Sequence, residues 1–215
     1  LELCENNPSV ELRETDLIVD VTTSLNVPRE LSSKIVGRTV SAFITPNGIG
    51  SVLLVENKKR SIRLDSLESQ YYRAIINNDW GKDHLVERNI RVGVGCRDIS
   101  SIISNDLIQL HSAILARHIR YSYESTSSAI KIWKCNKFTG SVESINIIPS
   151  NVLKVKVKGF YIIWDVSIQK KVKKLRANKL PVETGGILLG YIDQVQSKIF
   201  VVDACSSPND SVQEC

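Results

Sequence analysis

Three side chains in this 215-residue chain stand where their type and neighbours could do chemistry. Glu183 heads the stretch Val182-Glu183-Thr184-Gly185-Gly186-Ile187-Leu188-Leu189-Gly190-Tyr191, in which a carboxylate and a Gly pair open a short apolar run and a Gly closes it. The run has strand length and turn signals on both sides, so it reads as a strand buried on both faces. A carboxylate at the mouth of such a strand is costly unless it has a task or a partner. The glycines leave room for another backbone, or for a metal and its water, to come close. A paired or solvated strand-end glutamate is the competing reading. Asp20 ends the apolar run within 15–24. Carboxyl ends of strands in open α/β sheets are where ligands bind, although an Asp there also caps the next turn or helix. Cys96 sits in a Gly-flanked turn beside Arg97, where a cation favours the nucleophilic thiolate. A small half-buried turn cysteine accounts for it equally well.

The elements that must position these groups follow from periodicity. Residues 15–24 read as a buried strand, and Pro28 stands early in the helix after it. Residues 37–44 and 50–56 read as strands around the turn Pro46-Asn47-Gly48. Residues 67–77 and 107–119 read as helices, with Ser104 or Asn105 able to cap the second. The Ser-rich stretch 121–128 is the candidate linker, and 130–136 with 142–148 alternates like a hairpin. Another strand at 153–157 precedes a basic helix at 165–179, with Ile168, Val172 and Leu175 on one face, and a strand at 198–204 follows the Glu183 run. His111 and His118 are two helical turns apart, too far for a shared metal on one helix face, and read as core or interface residues.

Composition narrows the classes. Apolar residues at 42% and charged residues at 24% are those of an ordinary soluble globular protein. A net charge of +5 without a recognisable nucleic-acid module makes the basic cluster at 154–176 a solvated helix face. Five irregularly spaced cysteines with no Cys-x-x-Cys look like reduced thiols, which with the lack of a signal-peptide pattern or membrane-length run points to the cytoplasm. The chain starts at Leu1 and contains no Met, which suggests an internal piece of a longer protein.

Two stretches resemble known families. A helix, a Pro, the E-T-G-G-[apolar]-G strand, a second strand and a Ser-Pro loop resemble the opening half of a JAB/MPN (JAMM) metallohydrolase domain. In that family the matching Glu, here Glu183, is the general acid/base beside a zinc-bound water, and the usual reaction cuts an isopeptide or peptide bond next to a ubiquitin-like protein. The family binds zinc through a His-x-His pair and a later Asp downstream of that Glu, whereas this chain has no His after Glu183. Earlier, L-I-V-D-V-T-T-S followed by a helix and two strands around a Gly-rich turn resembles the latter part of a ThiF/MoeB-like activating domain. Such enzymes adenylate the C-terminus of a ubiquitin-like protein. Asp20 falls where that family holds Mg-ATP, and the segment around Cys96 resembles the region carrying the transthiolation cysteine. The G-x-G-x-x-G loop of the family is absent.

Together the resemblances imply an α/β fold. The C-terminal half of a ThiF-like domain would occupy 1–124, a linker and hairpin 125–158, and the N-terminal half of an α+β JAB/MPN domain 159–215. The implied parent is a bacterial fusion that activates and removes a ubiquitin-like modifier, with zinc and Mg-ATP as cofactors of the complete domains and a ubiquitin-like protein or its conjugate as partner. Lacking its zinc ligands and nucleotide loop, the chain alone is expected to bind neither cofactor and to be inactive. The alternative from another class is a non-catalytic module that binds a ubiquitin-like partner. No nucleic-acid or membrane partner is expected.

Overall fold

A computed structural model describes residues 14–34, 37–86, 90–92, 99–101, 103–181 and 185–207. The chain divides into two compact units, Leu1–Pro149 and Ser150–Cys215.

In the first unit, β1 (Leu17–Asp20) leads through α1 (Asn26–Ser33) into β2 (Arg38–Ile44), which lies parallel to β1 with Asp20 opposite Ser41. Parallel neighbours need a crossover, and α1 supplies it. β3 (Gly50–Val55) returns antiparallel around Pro46-Asn47-Gly48. Gly48 takes φ +72°, a left-handed conformation that glycine adopts without strain, and Asn47 Oδ1 closes the turn by accepting from Thr45 Oγ1 at 2.7 Å and Ile49 N at 3.1 Å. After α2 (Leu64–Asn77), the short pair β4 (Ile90–Val92) and β5 (Ile99–Ser101), and α3 (Asn105–Glu124), the chain adds β6 (Ala129–Cys135) and β7 (Val142–Ile147), giving the order β1-β2-β3-β6-β7.

Period-two alternation splits this sheet into two apolar faces. Val40, Ala42, Leu53, Val55 and Trp133 form one cluster with Leu115 of α3. Phe43, Leu54, Ile130 and Ile132 point the other way, where Phe43 meets Tyr71 of α2 edge-on at 5.9 Å. Polar bonds tie the layers. Arg38 donates to the carbonyls of Glu56 (2.6 Å), Ser122 (2.7 Å) and Ser125 (2.8 Å), joining β2 to the end of α3. The fully buried Glu56 accepts from Thr39 N, Leu64 N and Arg60 Nε, fixing the start of α2 to the sheet.

In the second unit, β8 (Val152–Val157) and β9 (Phe160–Asp165) form a hairpin, α4 (Val166–Ala177) follows, and β10 (Gly186–Asp193) pairs antiparallel with β11 (Lys198–Ser206). β11 lies parallel to β9, and the sheet order is β10-β11-β9-β8. Asp165 caps α4 by accepting from Ser167 N at 2.8 Å and Ile168 N at 3.3 Å, and Lys174 and Arg176 complement the dipole at its far end. Ile168, Ile163 and Phe200 are buried.

Both units use helices and sheets, so the α/β class holds. Three expectations need correction. The hairpin within 125–158 is no linker: β6 matches β3 over six residue pairs, Gly50–Lys134 to Val55–Ala129, which builds it into the first unit, while β8 belongs to the second. The strand expected over 15–24 shortens to Leu17–Asp20, an edge strand on which Val19 is 40% exposed. The Ile187-Leu188-Leu189 run is not buried on both faces: β10 ends its sheet among the described residues, and Ile187 and Leu188, which point to opposite faces, are 48% and 62% exposed.

Candidate functional site

The two stretches that sequence reading singled out fall in different units. In the first, the end of β1 delivers Asp20 beside Ser41 of β2. Ser41 Oγ donates to Asp20 Oδ2 at 2.8 Å, and Thr22 donates to Oδ1 through its backbone N (3.1 Å) and its Oγ1 (2.7 Å). Buried Asp20 thus shapes the turn that leaves β1, the local role an Asp at this position performs through its side chain. The turn is strained one residue later. Thr23 holds φ +58°, and a β-branched residue in the left-handed region is an outlier costing about 1–3 kcal/mol. Nothing in the sequence announces that conformation, since Thr22-Thr23 reads as ordinary strand.

Cys96 and Glu183 lie outside the described residues. The neighbours of the 182–184 segment do not. Pro181 and Gly185 border a cavity of about 570 Å³ in the second unit, walled by Val172 and Leu175 of α4 and by Ala204 and Cys205 of β11. The glycines of the motif divide their work. A Cβ on Gly186 would stand 2.7 Å from the Cys205 carbonyl oxygen, and one on Gly190 would stand 2.0 Å from that of Phe200, so both allow β11 to approach β10. Gly190 adjoins the register shift in this ladder. A Cβ on Gly185 would meet no atom within 4 Å. Of the two readings for these glycines, close backbone approach accounts for Gly186 and Gly190. Buried Asp203 accepts from Lys171 Nζ at 2.7 Å and from Ala204 N at 2.9 Å.

The histidines are interior groups of the first unit. His111 Nδ1 pairs with Ser51 Oγ at 2.9 Å, and the His118 ring lies 4.6 Å from that of Trp133. Burial lowers the pKa of both. His84, which sequence reading left unassigned, meets the rings of Tyr71 at 5.8 Å and Trp80 at 5.3 Å edge-on. Burial, helped by nearby Lys134, pushes its pKa down to about 4. All three are held neutral at pH 7. Among the described residues, no three of His, Cys, Asp and Glu come together to hold a metal ion. Among them too, Cys135 is buried and Cys205 exposed, both as free thiols, and no helix is long and apolar enough to cross a membrane.

No protein-family model and no curated protein sequence matches this chain.

Proposed function

We propose that this chain acts on a ubiquitin-like protein, its first unit derived from a ThiF/MoeB-like activating domain and its second from a JAB/MPN zinc isopeptidase. The observation that carries the reading is the Glu183-Thr184-Gly185-Gly186 entry into β10. Its flanking residues Pro181 and Gly185 border a cavity, and its later glycines let β10 pack against β11. Further support comes from the first unit, where a parallel strand–helix–strand, its first strand ending in Asp20, runs into an antiparallel hairpin at Asn47-Gly48. That sequence of elements accompanies the L-I-V-D-V-T-T-S resemblance.

The donor set does not fit the cofactors of the complete domains. Each of the three histidines precedes Glu183, the described acids after it, Asp193 and Asp203, are buried, and among the described residues no three donors come together to hold a metal ion. Zinc catalysis requires about three protein ligands and an open position. Asp20 accepts from Thr22 at Oδ1 and from Ser41 at Oδ2, which fixes it as part of the turn, and no Gly-rich phosphate loop accompanies it in the sequence. No catalytic step is therefore routed through zinc or Mg-ATP.

What these residues offer is binding. Among the described residues β10 ends its sheet, with Ile187, Leu188 and Ile192 exposed, and an extended segment of a partner can add to such a strand. This favours the second reading, a non-catalytic module that recognises a ubiquitin-like protein. The two are separated by incubating the chain and its Glu183→Gln variant, each with added zinc, with a fluorogenic ubiquitin C-terminal amide. A binding module gives no turnover in either protein. Turnover that needs zinc and disappears in Glu183→Gln establishes the hydrolase instead.

A further inference from the structure

The first unit also contains a cavity of about 620 Å³ on the α2 side of the sheet, at the carboxyl ends of the parallel strands β1 and β2. Its volume is that of a small-molecule site, and crevices at this position in α/β sheets are where ligands bind. The walls are Phe43 and Leu54 from the sheet and Leu64 and Tyr71 from α2. They are set before any ligand arrives. The Tyr71 ring is clasped edge-on by Phe43 at 5.9 Å and by His84 at 5.8 Å, so little side-chain freedom remains to be lost on binding.

Charge decides the ligand class. Glu68 is the one charged side chain among the described lining residues, and it is committed. Arg29 grips it with Nε at 2.8 Å and Nη2 at 2.9 Å, and Tyr72 Oη donates to it at 2.8 Å. Such a two-pronged guanidinium–carboxylate contact is among the stronger polar interactions. Burial raises the pKa of the Tyr71 and Tyr72 hydroxyls, which stay protonated. A phosphate or carboxylate in this space would lose its hydration with no cation among the described lining residues to replace it, Arg29 being held by Glu68. Ser41, Thr45 and Tyr71 bring hydroxyls to the wall, and those of Thr23 and Ser24 sit in the loop after β1, on the left-handed turn at Thr23.

We propose that this cavity binds an uncharged, largely apolar, ring-containing small molecule whose hydroxyl or carbonyl group lies at the Thr23–Ser24 rim. The site is separate from the ubiquitin-like reading and stands if that reading fails. Its test is a fluorescence titration of the full chain with N-phenyl-1-naphthylamine, compared with 8-anilinonaphthalene-1-sulfonate, which carries the same rings and an added negative charge. The expected result is saturable binding of one neutral probe per chain, with the sulfonate at least about ten-fold weaker. Leu25→Glu and Leu85→Trp, both at exposed rim positions, each weaken the neutral probe by about ten-fold or more, whereas Leu188→Ser on the open β10 edge leaves it unchanged. Both rim variants are checked for native circular dichroism, and either suffices if the other fails to fold. Equal affinity for the two probes, wild-type binding by a folded rim variant, loss of binding in Leu188→Ser, or displacement of the probe by Mg-ATP would each overturn the assignment.

Discussion

Lowering the pH from 7 to 5 should destabilise the first unit, and His84 should carry an identifiable share. Its folded pKa is about 4, against an ordinary value of 6.5. Nε2 is buried with no hydrogen-bond partner among the described residues, and the Tyr71 and Trp80 rings lie beside the imidazole. The sign follows from proton uptake. Above 6.5 both states are neutral and His84 makes no difference. Between 6.5 and 4 the unfolded chain binds a proton that the folded one refuses, so stability falls as the pH falls. At pH 5 nearly every unfolded chain carries the proton and only about a tenth of folded chains do, which amounts to about 2 kcal/mol. His111 and His118 shift in the same direction and add to the loss. Urea unfolding followed by tryptophan fluorescence in a Trp164→Phe background reports the first unit alone, through Trp80 and Trp133. The wild-type background should lose more than about 2 kcal/mol between pH 7 and 5, and adding His84→Gln should remove about 2 kcal/mol of that difference. An identical loss in both proteins would refute the reasoning.

Other consequences follow from single contacts. Glu56→Gln removes a fully buried charge that Arg60 Nε meets at 2.7 Å and Arg63 Nε approaches at 3.3 Å without hydrogen-bond geometry. The first unit should lose about 3 kcal/mol in the same urea assay, and a change below about 0.5 kcal/mol would deny Glu56 its role as the anchor of α2. Gly190→Ala forces a methyl onto the Phe200 carbonyl and should speed amide exchange along β10 and β11, whereas Gly185→Ala, in open space, should leave exchange unchanged. Equal exchange in the two variants would remove the packing explanation of the motif. Asp165→Ala strips α4 of its N-cap and should cost the second unit about 1 kcal/mol in thermal unfolding, an effect that Asp165→Asn largely avoids.

Local patterns were legible where the chemistry is local. Pro46-Asn47-Gly48 gave the β2–β3 turn because Gly48 needs a left-handed φ and Asn47 closes its own loop. The alternation of 130–136 and 142–148 gave the β6–β7 hairpin, and the 3.6-residue period gave α2, α3 and α4. What failed was partner assignment. The composition of 121–128 suggested a linker, yet α3 continues to Glu124 and only a short connection precedes β6, whose place beside β3 depends on residues about 80 positions earlier in the chain. An all-apolar run such as Ile187-Leu188-Leu189 carries no information on how many neighbours its strand has, so its exposure at a sheet edge was not readable. Asp20 was legible as the end of a strand, where its carboxylate holds the turn through Thr22 and Ser41. The cavity beside it was hidden because its walls come from Phe43, Leu54, Leu64 and Tyr71, each an ordinary core residue in its own segment.

The central proposal is that this chain recognises a ubiquitin-like protein. Its most direct test is biolayer interferometry of the full chain against immobilised ubiquitin and ubiquitin-like proteins, each with and without its C-terminal residues. The account predicts saturable binding to at least one of them that depends on the free C-terminal tail and weakens when Leu188→Ser alters the β10 edge. Absence of binding to every member of the panel, or binding indifferent to both the tail and Leu188, would contradict it.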